Sequence, residues 1–147
     1  MLIGQAEIRA LIPHAGDMCL LAGVTQWSAT HITCIAQSHR DINNPLAHNG
    51  RVRALCGIEF AAQAMAVHGG LTGLVGQRPR AGLLVSVRDV VANVEYLSDY
   101  SIDMQIAAEQ LMSEKSSVCY SFTLHAGEIE LLRGRATVVL DAGRIAA

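Results

Sequence analysis

The chemistry this chain could perform centres on one carboxylate, Glu59, set in the apolar stretch CGIEFAAQAMAVHGG from Cys56 to Gly70. An acid whose next neighbours are Phe60, Ala61 and Ala62 can give or take a proton where water is scarce, which is the work of a general acid or base. Gln63 follows four residues later, on the same face of a helix, placed either to orient that carboxylate or to bond a neighbouring loop. Upstream, His48 lies in HRDINNPLAHNGRVR, a polar segment whose Asn43, Asn44, Pro45, Asn49 and Gly50 populate turns. A histidine there is either an exposed loop residue or a second proton carrier that titrates near neutral pH. Cys56 opens the apolar stretch and reads as a small packing residue before a nucleophile. Arg51, Arg53, Arg78 and Arg80 flank the two ends of the stretch and suit a phosphate, an acidic partner or plain solvation. His31, His39, His68 and His125 lack metal-ligand spacing and read as solvent-facing or satisfied core residues. The four cysteines form no C-x-x-C pair, so neither a metal, a disulfide framework nor a cofactor is expected.

These groups must be held by the elements around them. The alanine-rich stretch predicts one helix, stopped by Gly69 and Gly70. Before it, the pattern from Cys19 to Ser38 is strand-like: Ile32, Cys34 and Ala36 alternate with Thr33 and Gln37, and two strands form a hairpin. After it come four strand-like runs: AGLLVSVRDVVANVEY, SIDMQIAAEQL, SSVCYSFTLH and EIELLRGRATVVLD. Alternation is clearest in Ile102, Met104 and Ile106 and in Val118, Tyr120, Phe122 and Leu124, and Ala126 with Gly127 supplies a hairpin turn. A helix apolar nearly all round must be covered on most sides. One antiparallel sheet does this by curling around it, which leaves the remaining flank to a second chain or to loops. The expectation is therefore an α+β hotdog fold, a curled antiparallel sheet wrapped around one long central helix, as a single domain over residues 1–147.

Composition narrows the function classes. At 147 residues and 51% hydrophobic, the chain is long enough for one substantial core. A formal charge of -2 with no basic run argues against nucleic acid. The uncharged run over 60–77 approaches the length of a membrane span, yet it is built of Ala and Gly around Gln63 and His68, so a buried helix is expected and no membrane span. Glu7, Arg9 and Pro13 precede any apolar run long enough for a signal peptide, and with the unpaired cysteines they point to a cytoplasmic protein.

Two segments also carry a resemblance. LIPHAGDMCLLAGV is similar to the early P-H-x-x-P-x-L-L-x-D segment of the 3-hydroxyacyl-(acyl-carrier-protein) dehydratases, and GIEFAAQAMA resembles the start of their central helix, G-x-x-x-x-E-x-x-A-Q, in the same order along the chain. The nearest branch is the dehydratase-like hotdog group of aryl-polyene type pathways. The resemblance implies that His48 and Glu59 share the proton work of dehydration. It also implies that the backbone N–H groups of Cys56 and Gly57 bind the thioester oxygen, with Gln63 beside them, and that His14 is structural. The implied substrate is an acyl-carrier-protein or coenzyme A thioester. The implied assembly is a homodimer joined through the strand within Ala81 to Val91, His48 of one chain facing Glu59 of its mate, or a hetero-oligomer with a related dehydratase. The chain departs from the family where H-F-P-G-x-P-x-x-P-G is replaced by HNGRVRALCG, which keeps His48 and loses every proline. Arg53 stands where the nearer branch has proline, and Ala15 and Ala22 where dehydratases have arginine and aspartate. Two alternatives remain open: a hotdog thioesterase using the same acid to activate water, and a non-catalytic acyl-binding or partner subunit of a related dehydratase.

Overall fold

The computed structural model describes residues 2–12, 18–73, 82–114 and 116–140, with side chains given except at 82–85 and 140. His14, Ala15, Arg78 and Arg80 lie outside the described residues.

Alternation places the strands. In β6 (Ser117–Ala126) Val118, Tyr120, Phe122, Leu124 and Ala126 are buried while the intervening residues are half-buried, the period of two that a sheet with one packed face demands. β3 (His31–Ala36) and β5 (Met104–Ser113) repeat it through Ile32, Cys34 and Ala36 and through Met104, Ile106 and Ala108. Ile102 does not belong to this series: it precedes β5 and is exposed, lying beside Gly127 at the β6–β7 turn. With β1 (Ile3–Gly4), β2 (Gly23–Trp27), β4 (Gly82–Ala92) and β7 (Ile129–Leu140) the strands form one antiparallel sheet in the order β1-β2-β3-β5-β6-β7-β4. Register shifts in β2, β4, β5 and β7, the last at Leu131 opposite Leu124 and His125, insert unpaired residues that bend the strands and increase their twist, which lets the sheet curl. The sharpest sits in β4, where Asp89 adopts a left-handed φ of 56°. This is the expected hotdog architecture, with β1 and a short helix α1 (Gln5–Leu11) added at the N-terminal end.

The central helix, α2, spans Gly57–Thr72. Phe60, Ala61, Ala64, Met65, Val67 and His68 are buried, and the helix packs across β3, β5 and β6. Two corrections to its expected bounds have packing causes. The helix runs through Gly69 and Gly70 and ends only before Gly73. Gly70 is there for close approach: a Cβ at that position would lie 3.1 Å from Leu11 Cδ2 and 3.3 Å from Leu11 Cβ on α1. At the other end a 3₁₀ turn over Ala54–Cys56 leads into Gly57, whose absent side chain lets the helix start settle onto β6 and β7. A Cβ there would lie 2.7 Å from Leu124 Cδ2 and 2.8 Å from Leu132 Cδ2. One side of α2 is less covered: Ile58, Glu59, Ala62, Ala66 and Gly69 are only half-buried, a stripe at helical spacing.

Candidate active site

Glu59 sits in the first turn of α2, on the less covered stripe. An acid there is favoured by the positive end of the helix dipole, and no hydrogen bond or ion pair holds its carboxylate among the described residues. The carboxylate is thus anchored through its backbone while its oxygens stay available.

Gln63 is one turn on, as its spacing requires, but it does not orient Glu59. Its side chain is buried, at 3% exposure, and turned toward the segment before β2. Oε1 accepts from the Leu20 N–H at 2.9 Å, and Nε2 donates to the Met18 carbonyl at 2.5 Å. Buried backbone polar groups need partners, and this amide supplies two of them where no strand does. Of the two roles open to Gln63, the structure displays the loop bond: the amide clamps α2 to the Met18–Leu20 segment.

The backbone N–H groups of Cys56 and Gly57 are both engaged within the chain. The Cys56 N–H donates to the Arg53 carbonyl at 3.0 Å, and the Gly57 N–H is engaged by the carbonyls of Ala54 and Leu55. The 3₁₀ turn that precedes α2 consumes both donors, so in this conformation neither is free for a thioester oxygen. The Cys56 thiol is half-buried, 4.0 Å from the Leu46 carbonyl.

His48 lies on an exposed two-residue hairpin. Its N–H donates to the Arg51 carbonyl at 2.8 Å, and the Arg51 N–H returns the bond at 3.1 Å. Asn49 and Gly50 between them have φ of 54° and 74°, the left-handed pair that a tight I′ turn needs and that Asn-Gly supplies with little strain. The chain then docks on the segment after β4: Val52 accepts from the Leu97 N–H at 2.8 Å, and the Ala54 N–H donates to Glu95 at 2.9 Å. Among the described residues no hydrogen bond or ion pair joins His48 to Glu59 within the chain.

Tyr96 and Asp99 were not singled out by sequence. The Arg51 guanidinium stacks 3.5 Å from the centroid of the Tyr96 ring and reaches Asp99 Oδ1 at 3.3 Å, while Arg53 lies 5.6 Å from the same ring. More than forty residues separate these partners, so no local pattern announces them.

Two histidines are buried in the core, and His68 has both ring nitrogens engaged. His68, on α2, has Nε2 2.9 Å from the Ser28 carbonyl, which can only accept, so Nε2 carries the proton and Nδ1 accepts from the Tyr120 hydroxyl at 2.7 Å. Burial holds this imidazole below its usual range and pushes the Tyr120 phenol up to about 12. His39 has Nε2 3.0 Å from the carbonyls of both Tyr100 and Ile102, its Nδ1 is buried without a partner, and burial lowers it likewise. Among the described residues no group of three His, Cys, Asp or Glu side chains is arranged to hold a metal, and no helix is long and apolar enough to cross a membrane.

The model of the ApeP-like family, described as ApeP dehydratase, matches residues 6–144. No curated protein matches the chain. Among solved structures, the dehydratase heterocomplex ApeI:P from Xenorhabdus doucetiae superposes with a TM-score of 0.83 at 21% identity, covering 95% of this chain and 96% of that one. A mutant of the thioesterase PA1618 from Pseudomonas aeruginosa gives 0.68 at 11% identity, covering 95% of each. The thioesterase HI1161 from Haemophilus influenzae gives 0.67 at 10% identity, covering 95% and 94%. At these identities the structural matches establish the hotdog fold.

Proposed function

Because the chain belongs to the ApeP-like dehydratase family, we propose that it removes water from 3-hydroxyacyl thioesters in polyene assembly, with Glu59 and His48 as its proton carriers. The observation that carries this reading is the place of Glu59: first turn of the central helix, half-buried, unpaired among the described residues, and on the stripe of α2 that the chain's own sheet leaves open.

Dehydration breaks the Cα–H bond and the Cβ–O bond and forms one C=C bond. The Cα proton goes to a base, and the departing hydroxyl takes a proton from an acid and leaves as water. A histidine and a carboxyl group on opposite sides of the substrate can divide these transfers. Within one chain no hydrogen bond or ion pair among the described residues joins His48 to Glu59, and in this reading the site is completed by a second chain covering the open stripe, the His48 of one facing the Glu59 of the other. Charge developing on the thioester oxygen is met by the positive end of α2. The substrate is carried by acyl carrier protein or coenzyme A.

A second reading has its own observation. The match to a dehydratase heterocomplex, together with the engaged N–H groups of Cys56 and Gly57, favours assembly with a related dehydratase, with this chain lending part of a shared site. One experiment separates the readings: incubation with a panel of 3-hydroxyacyl and enoyl thioesters followed by mass spectrometry. Loss or gain of water supports the dehydratase. Release of free thiol points instead to a thioesterase, and unchanged thioester to a binding or partner role.

A further inference from the structure

We propose that Arg51, Tyr96 and Asp99 form a clamp that positions His48 for proton transfer, an inference that rests on the role given to His48 above. Between Pro45 and the central helix the chain has no proline, so nothing covalent fixes the backbone of this segment. The hairpin that carries His48 is one isolated two-residue bridge, and an isolated hairpin in water is marginal at best. Its order must come from what it touches.

The contacts divide by position. From Val52 onward the backbone is secured: the Val52 N–H donates to Ser98 Oγ at 3.0 Å, Val52 accepts from Leu97, Arg53 bridges Tyr96, and Ala54 donates to Glu95. The turn itself lies before these bonds. On the near side Leu46 and Ala47 pack on the core and the Ala47 N–H donates to the Asn44 carbonyl at 2.8 Å; within the turn from His48 to Arg51 the side-chain tether is Arg51, the residue paired directly with His48 across Asn49 and Gly50. That guanidinium lies flat against the half-buried Tyr96 ring and is drawn to Asp99 at its edge. The His48 imidazole is exposed and has no hydrogen bond among the described residues, so its direction is set through the backbone pair with Arg51. Holding Arg51 holds His48.

The ring, not the hydroxyl, does this: Tyr96 Oη makes no hydrogen bond among the described residues, and a guanidinium is attracted by the π face. Tyr96→Leu removes the face, and Tyr96→Phe keeps it. A cation–π contact at an exposed site is worth about a two- to fivefold effect, so Tyr96→Leu lowers kcat by about that factor with KM little changed, and Tyr96→Phe recovers the loss. Arg51→Ala gives a similar loss, and the double variant Arg51→Ala with Tyr96→Leu is no worse than the poorer single one, because both break the same contact. In protein with isotope-labelled histidine, the His48 imidazole resonance, assigned by its absence in His48→Ala, moves toward that of a free histidine in Tyr96→Leu and keeps its native shift in Tyr96→Phe. The clamp is overturned if His48→Ala abolishes turnover while Tyr96→Leu retains both native kcat and the native His48 resonance. If His48→Ala itself turns over normally, the functional role of His48 falls, and the resonance of His48 in Tyr96→Leu still reports whether the clamp exists.

Discussion

At the scale of single residues, the site separates groups that hold the structure from groups left free to react. Gln63 belongs to the first kind. Gln63→Ala strands the Leu20 N–H and the Met18 carbonyl in a buried setting, at a cost of about 1–3 kcal/mol. The midpoint of urea denaturation should fall accordingly, and an unchanged midpoint would show that the segment finds other partners. Glu59 belongs to the second kind. Glu59→Gln is nearly isosteric but cannot cycle a proton, so turnover should drop about a hundredfold or more while the melting temperature stays near that of the wild type. Normal turnover in the folded variant would end the role of the carboxylate. The buried histidines add a pH dependence with a definite sign. His39 and His68 are held below their ordinary 6.5, so the unfolded chain binds their protons more readily. Their contribution is complete above about pH 6.5 and is lost as pH falls through the lower folded values. Stability measured from about pH 7 down to about pH 5 should decline, and less steeply in His68→Gln; equal slopes in both proteins would mean His68 is not held neutral.

The elements were largely legible in the order of residues, and the exceptions share a cause. Alternation in Val118 to Leu124 and in Ile32 to Ala36 reports a sheet with one buried face because the period of two is a property of the strand itself. The longer strands are read from it, and the central helix from its uninterrupted apolar, alanine-rich run. What local pattern does not carry is a contact made across the fold. Gly69 and Gly70 look like a stop because glycine commonly ends helices, yet Gly70 answers to Leu11, some sixty residues away, and the helix continues to Thr72. Ile102 fits the period of β5 but falls outside its ladder. At the site, Glu59 stands out as an acid in an apolar run, whereas the partners of Gln63, the engaged N–H groups of Cys56 and Gly57, and the Tyr96 platform all depend on tertiary neighbours. Gly57 tests this at the element scale. Gly57→Ala drives a methyl against Leu124 and Leu132 where β6 and β7 meet the helix start, and overpacking of this kind costs about 1–3 kcal/mol. Thermal unfolding should show the loss; an unchanged or higher melting temperature would mean the helix start is not seated as described.

At the scale of the molecule, the fold is incomplete as a site. A half-buried stripe on α2 carries Glu59, β4 ends the sheet order with β7 as its one partner among the described strands, and no hydrogen bond or ion pair among the described residues joins His48 to Glu59. A second chain joined along β4 would continue the sheet and bring the open flanks together, which predicts a dimer at working concentration by light scattering. A compact monomer would contradict it. The assignment of both proton carriers and their place across that interface can be tested together. His48→Ala and Glu59→Ala homodimers should each be inactive, since every site lacks one partner. When the two are unfolded and refolded together, random pairing makes about half of the dimers mixed, each with one intact site of two, so the activity on a 3-hydroxyacyl thioester should return to about a quarter of the wild-type level. No recovery, although mass spectrometry shows mixed dimers, or full activity in the His48→Ala homodimer alone, would contradict the shared site.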